Sequence, residues 1–108
     1  DMTRYTNNLP LVIANTNVEI DSIPMVFKAG MLADLRKRFD NNEIVEFDYI
    51  KKSTGNLRHA IGCLHPSIIL PRIKGTGNPK SKYRNFTYFD LEKHQFRSFG
   101  YDNIVKVY

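Results

Sequence analysis

Apolar residues change their spacing once along this chain, near residue 43. Before that point one stretch has a helical period. Met31, Leu32, Leu35 and Phe39 fall at i, i+1, i+4 and i+8, with Asp34, Arg36, Lys37 and Arg38 mostly on the other face. This predicts one helix over 29–42, stopped by Asp40-Asn41-Asn42. After it the period is two. Val45, Phe47 and Tyr49 alternate with Glu46 and Asp48 in a strand over Glu43–Ile50. Ser53-Thr54-Gly55-Asn56 reads as a turn, and Leu57–Leu64 as the returning strand of a hairpin, with Leu57, His59, Ile61 and Cys63 on one face. Further strands are expected at Phe86–Leu91, Phe96–Phe99 and Ile104–Tyr108, with Tyr101-Asp102-Asn103 as a turn of 3₁₀ type. Between His65 and Asn85 lies a connection with three prolines and two glycines, long enough to be functional or mobile.

Residues 1–28 read differently. The first 17 are polar and Asn-rich around Leu9-Pro10-Leu11-Val12-Ile13, an arm that docks one short strand or turn. Val18-Glu19-Ile20 and Met25-Val26-Phe27 are short extended segments on either side of Pro24. The whole is one mainly β domain with one helix: an arm with short extended segments at 1–28, a helix at 29–42, and a barrel at 43–108. Five short strands in meander order hide their edges best by curling on themselves.

Composition narrows the class. At 108 residues, with 42% hydrophobic side chains, the chain supports a modest core. Seven Phe and six Tyr with no Trp suit a β-rich interior. Cys63 is the sole cysteine, so no internal disulfide forms and a reducing, cytoplasmic setting is expected. No run has the length of a membrane span.

Charge changes the picture most. From Tyr49 to Phe89 there is no Asp or Glu, but there are eight cations: Lys51, Lys52, Arg58, Arg72, Lys74, Lys80, Lys82 and Arg84. The net charge is +8 inside this stretch and −3 outside it. A one-sign block between acidic flanks points to a polyanion, nucleic acid above all. Those cations can neutralise phosphates, while Tyr83, Phe86, Tyr88 and Tyr101 offer stacking platforms for unpaired bases. The competing reading is a set of solvated turn residues on a small soluble protein. Arg97, on a strand beside Phe99, either faces a groove and grips phosphate or a base edge, or pairs with Asp90 or Asp48 across the sheet.

Other chemistry is thin. Gly75-Thr76-Gly77-Asn78-Pro79-Lys80 can hold an anion on backbone N–H groups but lacks P-loop spacing. His59, His65 and His94 have no partners at metal-ligand spacing, and Cys63 reads as a buried apolar residue. Glu46 and Asp48 stand about 7 Å apart along one strand face, within reach for acid–base work. They read more simply, with Glu43, as the wet face of an amphipathic strand. No catalytic residues, cofactor or metal are expected, and the protein is read as a non-enzyme.

The order of Val45-Glu46-Phe47-Asp48-Tyr49, Gly55…Arg58, Gly62-Cys63-Leu64-His65-Pro66, Gly75-Thr76-Gly77, Tyr88-Phe89-Asp90-Leu91 and Phe96-Arg97-Ser98-Phe99 into Asn103-Ile104 resembles the WYL-related SH3-like or Sm-like barrels of bacteria and their phages. Tyr88-Phe89-Asp90-Leu91 sits where such domains carry Trp-Tyr-Leu, and Arg97-Ser98-Phe99 where they carry an Arg-x-Phe strand lining a ligand or nucleic-acid surface. The chain departs from the pattern in having no Trp, and Asp102-Asn103 stands near the place of a second Arg. The resemblance implies a small SH3-like/Sm-like five-stranded barrel, free-standing and phage- or bacterium-encoded. Together with the charge block it yields two functional expectations. One is a regulatory barrel binding RNA or single-stranded DNA through Lys51, Lys52, Arg58, Arg72, Lys74, Lys80, Lys82, Tyr83, Arg84, Tyr88 and Arg97, in the cytoplasm or a phage host's cytoplasm. The other is a protein-interaction module that modulates a host enzyme or nucleoprotein machine.

Overall fold

A computed structural model describes residues 22–73 and 82–108. Its long helix, α1, spans Met25–Asp40. It therefore begins inside the segment expected to be extended: Met25-Val26-Phe27 is its first turn. Pro24 precedes it with extended ψ, and its carbonyl accepts from the backbone N–H of Phe27 at 3.0 Å and Lys28 at 3.2 Å. Proline lacks only a donor that a helix start leaves unused, so it opens this helix and does not separate strands. Lys28, Met31, Leu35 and Phe39 form the buried face. Lys37 and Arg38 occupy the last turn, where cations favour the helix dipole. Asn42, at φ 63°, then takes the left-handed turn that ends it.

Five antiparallel strands follow among the described residues: β1 (Val45–Ile50), β2 (Leu57–Cys63), β3 (Asn85–Asp90), β4 (Gln95–Gly100) and β5 (Ile104–Val107), in spatial order β4-β3-β2-β1-β5. Between β2 and β3 the connection is not all loop. Pro66–Ile69 forms a one-turn helix, α2, continued by a 3₁₀ turn at Leu70–Arg72. His65 caps it, its Nδ1 accepting from the Ser67 backbone N–H at 3.1 Å. The expected 3₁₀ turn at Tyr101–Asn103 is present, and the Asn103 side chain donates to the Ile50 carbonyl at 2.7 Å, tying β4–β5 to β1. Val18-Glu19-Ile20, Lys74, Lys80 and the Gly75–Lys80 turn lie outside the described residues.

The sheet curls without closing its hydrogen-bond ladder. β2 and β3 pair through only Gly62↔Asp90 and Cys63↔Phe89, and the sheet bends there. A Cβ on Gly62 would meet Tyr88 Cδ2 at 2.6 Å and the Phe89 carbonyl at 3.1 Å, so the bend depends on bare backbone. The curl brings unpaired strands face to face. Tyr49 of β1 stacks on Phe99 of β4 with centroids 4.7 Å apart, and Phe86 stacks on Phe99 at 5.5 Å. Phe39 of α1 meets Phe47 and Phe86 from above. At about 1.5–3 kcal/mol for each buried aromatic or aliphatic side chain, this cluster is the main stabilising element of the domain. Among the described residues, no helix is long and apolar enough to cross a membrane.

Candidate anion-binding hollow

Hairpin register decides which side of the barrel each charged residue reaches. Tyr49 faces Arg58 and Phe47 faces Ala60, so Arg58 belongs to the inner face with the aromatic core. Asp48 faces His59 and Glu46 faces Ile61 on the outer face. Leu57, His59 and Ile61 do share a face, as the alternation predicts.

On the inner side, Asp90 is fully buried and receives the Arg58 guanidinium directly. The same Oδ2 lies 3.9 Å from Arg97 Nε and 3.5 Å from the Tyr88 hydroxyl. Its Oδ1 accepts from the backbone N–H groups of Glu92 and Lys93, both at 2.9 Å. Burial raises the Asp90 pKa, but the Lys93 N–H, the Arg58 guanidinium and the Glu92 N–H outweigh it and hold the carboxyl below its usual range. Two guanidiniums thus share one carboxylate. The Nε atoms of both Arg58 and Arg97 are buried without a hydrogen bond among the described residues. Tyr88 is buried too, its hydroxyl 2.7 Å from that of Tyr49; burial, then this contact, pushes its pKa well up.

Arg97 also lines an open hollow of about 300 Å³ between the end of β1 and β4. Lys51, Lys52 and Ser53 approach from the hairpin turn, Ser98 from β4 and Asn85 from the start of β3. Tyr49 and Phe99 form its floor, and no carboxylate lines it among the described residues. Lys52 lies across Gly100: a Cβ there would stand 3.0 Å from both its Cε and its Nζ.

The other predicted site residues divide by what they touch. Lys51 is half-buried and Lys52 exposed, and neither side chain has an ion-pair partner among the described residues. Lys82 and Tyr83 are exposed, Tyr83 to 91%, in the turn leading to Asn85 at the rim. Arg84, in that turn, is engaged by Asp102 at 3.2 Å and lies over the Tyr101 ring. Arg72 stands apart, donating to the Ile68 carbonyl at 2.7 Å and lying over Phe89. Three expected contact residues are corrected. Tyr88 has no exposed surface and cannot stack on a base, and Phe86 is buried with it. The Arg58 side chain is spent on Asp90 inside the barrel, not displayed on the hairpin. Arg97 resolves between its two readings by taking part in both: it faces the hollow and pairs with Asp90, not Asp48.

Asp48 is also corrected, from wet to 5% exposed. Its Oδ1 is 2.6 Å from His59 Nδ1, and its Oδ2 accepts from the Tyr108 hydroxyl at 2.7 Å. His59 Nε2 is 2.9 Å from Glu46 Oε2. Held between Glu46 and Asp48, with burial opposing, the imidazole has its pKa raised. Tyr108 is pushed up to about 12 by burial and by Asp48. This cluster escaped sequence reasoning, although folding the hairpin about its Ser53–Asn56 turn sets Asp48 opposite His59. Asp90 as the shared counterion left no such local signal, because Arg58 lies 32 residues away. No group of three or more metal-ligating side chains is assembled among the described residues.

Compared with known proteins, no curated protein and no solved structure gives a significant match. A family model does match, over residues 32–105, from the middle of α1 to β5. It takes in the curled sheet, Asp90 and every described residue that lines the hollow. By that match the chain belongs to the WYL_2 family, whose fold is the Sm-like SH3 β-barrel.

Proposed function

We propose that this protein is a non-enzymatic nucleic-acid-binding barrel that engages unpaired RNA or DNA at the hollow between the β1–β2 turn and β4. The observation that carries the reading is the convergence there of Lys51, Lys52 and Arg97 with no carboxylate among the described lining residues. Lysines without ion-pair partners among the described residues can exchange counterions for phosphates. Tyr83, exposed beside the rim, supplies a face on which a neighbouring base stacks. Arg58 and Arg84 contribute less than their charge suggests, since each already has a carboxylate partner.

The test is fluorescence anisotropy with labelled single-stranded oligonucleotides at low salt. Neutralising about three phosphates on a single strand predicts a slope of log K against log salt near −2. Lys51→Gln with Lys52→Gln should flatten that slope and weaken binding, with an unchanged fold by circular dichroism. No binding at low salt rejects the reading. A second reading, capture of an extended acidic protein segment, draws on β4 as an edge strand among the described residues, beside the same hollow. A partner recovered from lysate after nuclease treatment, and lost with the same two substitutions, would favour it.

A further inference from the structure

The hollow concentrates charge at one point and does not spread it along a track. Lys51, Lys52 and Arg97 converge on a space of about 300 Å³, the lower end of the range for sites that hold one small ligand. Behind Arg97, Asp90 is shared with Arg58, so among the described residues one carboxylate faces two guanidiniums and a positive charge is left over. Ser53, Asn85 and Ser98 add hydrogen-bonding groups around it. The floor gives no stacking surface, because Tyr49 and Phe99 are each 4% exposed and stacked on one another.

A phosphodiester inside a chain brings one negative charge to such a place. A phosphomonoester brings about −1.5 to −2 at neutral pH, and its three terminal oxygens accept from several donors at once. Charge-assisted hydrogen bonds of this kind are the strong ones. We infer that the hollow is a seat for a phosphomonoester: the phosphorylated end of a nucleic-acid strand, or a free mononucleotide. This rests on the nucleic-acid reading above and names the part of the ligand the hollow receives. Asp90 acts in it as a positioning residue, holding Arg97 without touching the ligand.

The deciding experiment compares oligothymidylates of one length with a 5′-phosphate, a 3′-phosphate or hydroxyl ends, using the full chain. Thymidine 5′-monophosphate and inorganic phosphate serve as competitors. A phosphorylated end should tighten binding at least about tenfold, or 1.4 kcal/mol. Thymidine 5′-monophosphate should displace that oligonucleotide, and inorganic phosphate should do so more weakly. Lys51→Gln with Lys52→Gln should abolish the preference for the phosphorylated end in a protein that melts as the parent does. Mononucleotide binding without oligonucleotide binding would uphold the phosphomonoester seat and reject the nucleic-acid reading. Equal affinity for phosphate and hydroxyl ends would overturn the seat and leave that reading standing. A preference that survives the lysine substitutions would also overturn it, by placing the recognition elsewhere. If no probe binds, both fall.

Discussion

The two faces of the β1–β2 hairpin carry opposite charge imbalances. On the inner face Arg58 and Arg97 share the single carboxylate of Asp90. On the outer face Glu46 and Asp48 share the single imidazole of His59. Both clusters are built from residues on opposite strands, and both hold their charges partly out of water. The difference lies in what each surplus meets. The inner surplus is positive and continues through Arg97 into a hollow edged by two more cations. The outer surplus is negative, but Lys106 stands in register opposite Asp48 and the Tyr108 hydroxyl donates to the same carboxylate. The inner side therefore leaves cations around an open hollow, whereas the outer side closes on Lys106 and Tyr108.

Breaking the inner cluster should do most damage. Asp90→Ala leaves two guanidiniums without a counterion and two backbone N–H groups without an acceptor. Removing one partner of a buried pair costs roughly 3–5 kcal/mol, measurable as a lower urea midpoint. Asp90→Asn, which keeps an acceptor for Glu92 and Lys93, should cost less. Gly62→Ala tests how the inner face is shaped. The new Cβ meets Tyr88, which packs against Phe47, and overpacking of this kind costs about 1–3 kcal/mol. An unaltered stability would show that the β2–β3 bend yields easily.

The two clusters should also titrate in opposite senses. The folded pKa of His59 is raised, so its stabilisation is fully present below its ordinary value of 6.5 and is lost as pH rises through the folded value. The folded pKa of Asp90 is lowered, so its stabilisation is present above the ordinary value of 3.8 and is lost as pH falls through the folded one. Urea midpoints against pH should therefore drop at both ends. His59→Gln should remove the alkaline drop and spare the acid one; an unchanged alkaline limb would mean that the Glu46–His59–Asp48 contacts contribute nothing to folding. The smallest effect on stability is expected from Lys51→Gln with Lys52→Gln, which should leave the urea midpoint unchanged. A large loss would mean that these lysines hold the turn and do not serve a ligand.

Much of the fold was legible because it is local. Period-two alternation located all five strands to within two residues, and the Ser53–Asn56 turn joined the hairpin correctly. The start of α1 is not legible, because Pro24 looks like a separator between strands when it opens a helix. Nor is the one-turn α2, because Pro66 and Pro71 look like loop punctuation, whereas proline at a first helical position costs nothing. For the candidate site the pattern is the reverse. The sequence marks Lys51, Lys52 and Arg97, which line the hollow, no differently from Arg58, which the fold pairs with Asp90, and Tyr88, which it buries.

The sequence by itself determined the mainly β class, the hairpin, the aromatic interior and the concentration of cations between residues 49 and 89, since each depends on neighbours in the chain. Tertiary structure alone decided which of the described cations pair with a carboxylate. The stretch is acid-free only along the chain. Curling the sheet sets Asp90 against Arg58 and the 3₁₀ turn sets Asp102 against Arg84, while Lys51 and Lys52 meet no carboxylate among the described residues. Electrostatic interaction depends on distance in space and on exclusion of water, and neither can be read from order in the chain.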